Sequence, residues 1–575
     1  MPAHTPDPTQ WFIDLLAAQQ VMLRLFGTVA GSSDAQPAMI SAVMPWLHAA
    51  GAAAVWQQEM LKQATARWSG AATGGGAMHG GAVIPDRRVG AARWRQDLRF
   101  DSLMRTYRAQ SALLSKTLEA APLDERSKAE WGFVLRQVID ALSPANYLAT
   151  NPEALHMALE SGGASLVQGM RLFLQDFAKG RVLTNDDTAF EVGRNLATTP
   201  GSVVFENELI QLIQYAPSTV DVHKRPLLIV PPCVNKFYIL DLQPESSFVA
   251  HTVAQGHTVF MVSWRNVGPQ QGRLSWDDYL GEGILQAIDV ARTISGADRI
   301  NTLGFCIGGT LLACALAIMA ARRQDKVASV TLLNTLLDFS DIGELGLMVN
   351  KATVAWREAT IGHGGLIKGS EIVLVFAALR ANDLIWPYVV SRYLKGKEPP
   401  AFDRLFWNSD STNLPGPMFC WYLRNALLEN KLRVPGGTVQ CGERVELGTI
   451  DIPAFVFASR EDHIVPWQTA YASTQLLGGD TTFVLGASGH IAGAINPPAR
   501  TKHNFWMGHW EGELKAEATD WLEHAHSNGG SWWPVWTEWL QARAGVQVPA
   551  RRQLGSSDFP VIEAAPGRYV KANAV

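Results

Sequence analysis

The sequence predicts an α/β fold with a mainly parallel sheet behind a helical N-terminal domain, on three observations. From Gly201 onward, short β-branched runs alternate with helical segments. One of these runs ends in a glycine-rich turn that opens at once into an apolar helix, Gly304-Phe305-Cys306-Ile307-Gly308-Gly309. Finally, the strand rhythm stops after Thr335 and resumes at Pro453. A gap that long between strands of one sheet reads as a mostly helical cap inserted above the strand ends.

Taken in order, residues 1–69 form a helical appendage, in which Trp11, Leu15, Leu16, Met22, Leu23 and Leu25 keep helical spacing and Pro45 opens a second segment. Residues 70–85 are a linker, with six glycines between Gly70 and Gly81. Residues 86–200 read as a helical domain broken by Pro122, Pro144 and Pro152, and residues 201–575 as the α/β domain. Its strand candidates are LLIV (227–230), HTVFMVSW (257–264), RINTLGFC (299–306), SVTLLNT (329–335), PAFVFAS (453–459) and TTFVLGAS (481–488). The cap falls at about 340–440, and after about Asn528 the chain reads as a tail extended over the surface. Trp532, Trp533, Trp536 and Trp539 in that tail suit aromatic packing on the core.

Composition narrows the function. A chain of 575 residues implies two to four folding units. With 47% hydrophobic and 18% charged residues it is no disordered protein, and a net charge of −4 leaves no nucleic-acid footprint. Cys233, Cys306, Cys314, Cys420 and Cys441 form no CxxC pair, which argues against a disulfide framework and a zinc knuckle and for a reducing compartment. The start, MPAHTPDPTQ, lacks the basic head of a secretory signal. The apolar run Leu311–Ala321 is too short to span a bilayer. A cytoplasmic protein without a transmembrane segment is expected.

The turn around Cys306 carries the chemistry. A strand-to-helix turn of the form G-x-nucleophile-x-G crowds the backbone and presents its central side chain to a cleft. The helix N-terminus below it favours negative charge, which activates a thiol. Such a nucleophile needs an acid after a later strand and a histidine after the last. Asp462 and His490 follow the runs PAFVFAS and TTFVLGAS, with Glu461 as the alternative acid; His463 touches the site by sequence as a candidate substrate contact, but reads better as orienting the loop. An acyl intermediate also needs two N–H donors for its oxyanion. Ile307 supplies one, and Val234 is the candidate for the other, with Cys233 and Asn235 as alternatives.

These residues lie in longer motifs. PPCVNKFYILDLQPESS, GFCIGGT, FWNSDSTNLPG, REDHIVPW and GASGHIAGAINPP, with SPANYLATNPEAL in the helical domain, together resemble the poly(3-hydroxyalkanoate) synthases, closest to the single-subunit short-chain class. The resemblance runs from about Pro85 through Gly512. It implies an α/β-hydrolase core with Cys306, Asp462 and His490 as a triad, a mobile cap, and no cofactor. It also implies a homodimer at the surface of polyhydroxyalkanoate granules, in contact with granule-associated proteins. The activity implied is polymerisation of (R)-3-hydroxyacyl-CoA, 3-hydroxybutyryl-CoA above all, onto a growing polyester chain with release of CoA. Trp407 falls where the family has a tryptophan near its active site, and Arg500 and Lys502 are candidates for the CoA phosphates. A thiol nucleophile suits a thioester donor, and either His490 or Asp462 serves to activate the attacking hydroxyl. The rival readings are a cysteine-dependent polyester depolymerase or acyl-CoA thioesterase on the same triad, and a non-catalytic granule-coat protein.

Overall fold

The computed structural model describes Val89 and residues 92–179, 182–499, 503–508, 514 and 517–574. The expected appendage and glycine-rich linker lie outside the described residues. Two compact units divide the chain: one holds residues up to Asp186 with Leu374–Pro400, the other Asp187–Val373 with Ala401–Val575.

The first unit is helical: α1 (Leu98–Glu119), α2 (Glu125–Ala141), α3 (Pro152–Glu160) and α4 (Ala164–Lys179). Each start is written locally. The Asp97 side chain accepts the Arg99 N–H and Asp124 the Ser127 N–H, while Asn151 caps α3 with Pro152 in its first turn. Trp94, Leu103, Met104, Tyr107 and Ala145 form its small core. Within this unit, buried Arg392 grips buried Asp176 of α4 through Nε and Nη2 at 2.9 and 3.0 Å. So part of the insertion expected as a single cap belongs with the N-terminal helices.

The second unit is built on one sheet of eleven strands: β1 (Gly201–Glu206), β2 (Ile210–Tyr215), β3 (Leu227–Val230), β4 (Val259–Trp264), β5 (Ile300–Phe305), β6 (Val327–Leu333), β7 (Ala454–Ser459), β8 (Thr481–Gly486), β9 (Asn504–Met507), β10 (His526–Gly529) and β11 (Glu563–Ala564). Their order is β10-β9-β8-β7-β6-β5-β3-β4-β2-β1-β11. The six central strands, β3 to β8, are parallel, and they are the six apolar runs of the sequence. All residues of β3, β4, β5, β6 and β7 are buried, as a sheet covered on both faces requires. The five outer strands pair antiparallel and escaped the sequence reading. In β2 (IQLIQY) and β10 (HSNG), polar residues dilute the apolar signal.

The helix α5 (Ile307–Ala321) follows β5 directly and is apolar on all sides because thirteen of its residues are buried. The chain leaves the sheet at Leu333 and returns at Ala454, and that insertion includes α6 (Asp403–Ser409). After β8 comes the short helix α7 (His490–Ala494), and after β10 comes α8 (Trp533–Gln541). The C-terminal segment is not the extended surface tail the sequence predicted. Trp532, Trp533 and Trp536 are buried in the main core, residues 547–549 pair with 221–223, and β11 adds to the edge of β1. Three adjacent indoles bury more apolar surface than an exposed strand could tolerate. Among the described residues, no single helix is long and apolar enough to cross a membrane.

Candidate active site

Cys306 stands alone between β5 and α5 with φ +54° and ψ −131°, a left-handed conformation that costs a non-glycine residue strain. Its glycines explain how the turn is held. A Cβ on Gly304 would meet Gly309 Cα at 2.4 Å, and one on Gly308 would meet the carbonyls of Val230 and Pro231 at 2.5 Å. A Cβ on Gly309 would strike Thr335 Oγ1 at 2.1 Å. The Cys306 N–H donates to the Leu333 carbonyl at 2.9 Å, and Thr335 Oγ1 donates to the Cys306 carbonyl at 3.2 Å. With both backbone groups tied to the end of β6, the side chain points off the carboxyl edge and stays partly exposed. The N–H of Ile307 opens α5 and has no acceptor within the helix.

Asp462, just beyond β7, is buried, and its two oxygens have separate tasks. Oδ1 accepts the N–H groups of Ile464 and Val465 at 2.8 and 2.9 Å, and Oδ2 faces His490 Nδ1 at 2.5 Å. Glu461 is exposed, so Asp462 is the carboxylate that meets the imidazole. His490, the first residue of α7, is 7% exposed and stacks on Phe305 with ring centroids 5.4 Å apart. Burial alone would lower its basicity. The Asp462 carboxylate and the hydrogen-bonded Cys306 sulfur outweigh that and raise it to about 10. Cys306, His490 and Asp462 thus form one linked row.

Residues 231–236 leave β3 beside the turn and bring Val234 to the same edge. Burial, and then the nearby Cys306 charge, push the Cys233 thiol far above its ordinary range, which disfavours Cys233 as a nucleophile.

Comparison with known proteins meets this geometry. A family model described as "Poly-beta-hydroxybutyrate polymerase (PhaC) N-terminus" matches residues 85–252, and the "alpha/beta hydrolase fold" matches residues 226–497. The chain is 50% identical to the poly(3-hydroxyalkanoate) polymerase subunit PhaC of Cupriavidus necator, over 90% of this chain and 88% of that one. It belongs to the poly(3-hydroxyalkanoate) polymerase family. A second member, from Rhizobium meliloti, is 41% identical over 85% of this chain and 80% of its own, and poly(3-hydroxyalkanoate) polymerase 2 of Ectopseudomonas oleovorans is 39% identical over 84% and 86%. The chain is therefore an enzyme of acyltransferase type with an α/β-hydrolase fold.

In this polymerase the other expected residues fall in different places. His463 is partly buried in the loop beside Asp462. Trp407, in α6, is 5% exposed, and its Nε1 donates to the Lys236 carbonyl at 2.7 Å. It therefore supports the loop after β3 and has no free polar group for a substrate. Arg500 and Lys502 lie outside the described residues. Sequence reasoning missed the supports of His490. Asn334 Nδ2 donates to the His490 carbonyl at 2.6 Å, from a residue with φ +42° just after β6. Trp532 and Trp533 donate their indole N–H groups to the carbonyls of Gly493 and Ala494 in α7, at 3.1 and 3.0 Å. The asparagine at a strand end was the available signal for the first; nothing local marks the tryptophans. Among the described residues, no cluster of His, Cys, Asp or Glu could hold a metal ion.

Proposed function

We propose that this polymerase extends polyhydroxyalkanoate from (R)-3-hydroxyacyl-CoA, chiefly 3-hydroxybutyryl-CoA, through an acyl-Cys306 intermediate. The observation that carries the reading is the row Cys306–His490–Asp462 at the end of a strained strand-to-helix turn. Asp462 and the neighbouring sulfur raise the basicity of His490, which takes the thiol proton and leaves the Cys306 sulfur as the nucleophile. It attacks the thioester carbonyl, and the N–H groups of Ile307 and Val234 receive the oxyanion. Collapse breaks the bond to the CoA sulfur, which leaves with the proton from His490. Exchange of one thioester for another is close to neutral in energy. Next, the hydroxyl of a second hydroxyacyl group gives its proton to the now neutral His490 and attacks the acyl-cysteine. An oxygen ester forms, the Cys306 thiolate departs, and this step runs downhill. Asp462 orients His490 and stabilises its charge.

The same reading takes residues 86–200 as the domain for dimerisation and for contact with the granule surface, residues 201–575 as the catalytic domain, and the parts of the insertion about 340–440 that belong to the second unit as a cap that limits water. Purified protein incubated with 3-hydroxybutyryl-CoA should release CoA thiol and develop turbidity together. Cys306→Ser should lose the polymer. Soluble hydroxy acid without turbidity would sink synthesis in favour of hydrolysis.

A further inference from the structure

The loop that carries Val234 is gripped along its length by residues 407–412. Thr412 Oγ1 donates to the Cys233 carbonyl at 2.6 Å, and the Thr412 N–H reaches the Val234 carbonyl at 3.4 Å. Asn235 forms an antiparallel bridge with Ser411, and Trp407 holds the Lys236 carbonyl. The gripping segment is itself anchored. Asp410 takes Lys236 Nζ on Oδ1 at 2.6 Å and the Tyr238 hydroxyl on Oδ2 at 2.8 Å, with Lys236 and Tyr238 both buried.

A peptide unit is planar and trans, so its C=O and N–H point in opposite directions. The Cys233 carbonyl and the Val234 N–H belong to one such unit. A hydroxyl fixed on that carbonyl therefore fixes the direction of the N–H on the far side. An ion pair with a buried lysine is a rigid anchor because the buried charge must keep its partner. We propose that Thr412 is a positioning residue for the acyl-transfer step: held in place through Asp410, Lys236 and Tyr238, its hydroxyl sets the rotation of the Cys233–Val234 peptide and thereby aims the second oxyanion donor. This rests on the reading of the Val234 N–H as that donor. It gives the motifs PPCVNKFY and FWNSDSTN a shared task that neither shows alone.

The test uses the full chain, with rapid-quench measurement of the first CoA released from 3-hydroxybutyryl-CoA. Thr412→Val keeps the shape and deletes the hydroxyl; it should slow acylation of Cys306 by about 10- to 100-fold, somewhat less than outright loss of a donor. KM should stay within about threefold, and Thr412→Ser should recover to within about threefold of wild type. Alkylation of Cys306 by iodoacetamide builds no oxyanion, so its rate should not change in Thr412→Val. Normal acylation by Thr412→Val, no recovery in Thr412→Ser, or an equal fall in alkylation would each overturn the proposal. If Thr412→Val does not fold, Asp410→Asn replaces it, with acylation slowed several-fold and alkylation retained; unchanged acylation there overturns the proposal equally. Incorporating the α-hydroxy acid analogue of valine at position 234 removes the N–H and keeps the shape. Should that substitution leave acylation intact, the donor reading itself fails. Should it slow acylation while Thr412→Val does not, only the role of Thr412 fails.

Discussion

The turns that present Cys306 and His490 stand at the same edge of one sheet, yet they are made in opposite ways. The Cys306 turn is determined almost within six residues. Three glycines admit the close approach of β5, β3 and α5, and two hydrogen bonds at the end of β6 hold the left-handed backbone. The His490 turn is assembled from far away: Asp462 after β7, Asn334 after β6, and Trp532 and Trp533 before and within α8. The nucleophile is a local motif; the base is a tertiary construction. The first should therefore fail sharply when its own residues change, and the second by degrees as each remote support is removed.

Substitutions of the reacting groups mark the upper end. Cys306→Ala should bring CoA release and polymer formation to background, and His490→Ala should cost about 10²- to 10⁴-fold in kcat as the proton carrier is lost. Polymer from Cys306→Ala, or a kcat near wild type in His490→Ala, would break the comparison at its root. Gly308→Ala is the structural counterpart. Its Cβ would press on two backbone carbonyls at 2.5 Å, so a loss of about 1–3 kcal/mol in urea unfolding is expected, with activity falling too. Wild-type stability in that variant would mean the turn is looser than described.

Asp462→Asn comes next, since it keeps the shape and removes the charge. The folded protein holds the His490 proton more tightly than the unfolded chain, with basicity raised to about 10 against an ordinary 6.5. The associated stability is thus complete below pH 6.5 and drains away as pH rises towards about 10. Urea titrations of wild type and Asp462→Asn across that range should show their difference shrinking with pH, and a difference that widens would contradict the assignment. The remote supports should be milder. Trp532→Phe leaves the Gly493 carbonyl buried without its donor, at about 1–3 kcal/mol, and should lower kcat several-fold through His490 while Cys306 alkylation stays normal. At the small end, Glu461→Gln alters an exposed side chain and should leave activity within about twofold.

The same contrast explains what the sequence could and could not reveal. The six parallel strands were legible because each is a short, mostly apolar run, fully buried in five of them, and the elbow because its glycines, cysteine and flanking elements are contiguous. Asp462 and His490 were legible because strand ends in a parallel sheet deliver loops to one edge. The outer antiparallel strands were not, since Gln211, Gln214 and the residues of β10 interrupt any hydrophobic alternation. The role of the C-terminal tryptophans was hidden for a different reason. An indole donating to a carbonyl some forty positions earlier leaves no periodicity and no spacing in the chain. Trp407 looked like a substrate contact by its motif, whereas its burial and its bond to Lys236 place it beneath the loop after β3.

Covalent chain growth on one sulfur is best tested by trapping it. Protein mixed briefly with 3-hydroxybutyryl-CoA, quenched in acid, digested and analysed by mass spectrometry should carry whole hydroxybutyryl units on the peptide containing Cys306, released by neutral hydroxylamine and missing from Cys306→Ala. Polymer accumulating while that peptide stays unmodified, or the acyl group appearing on a different side chain, would contradict the account.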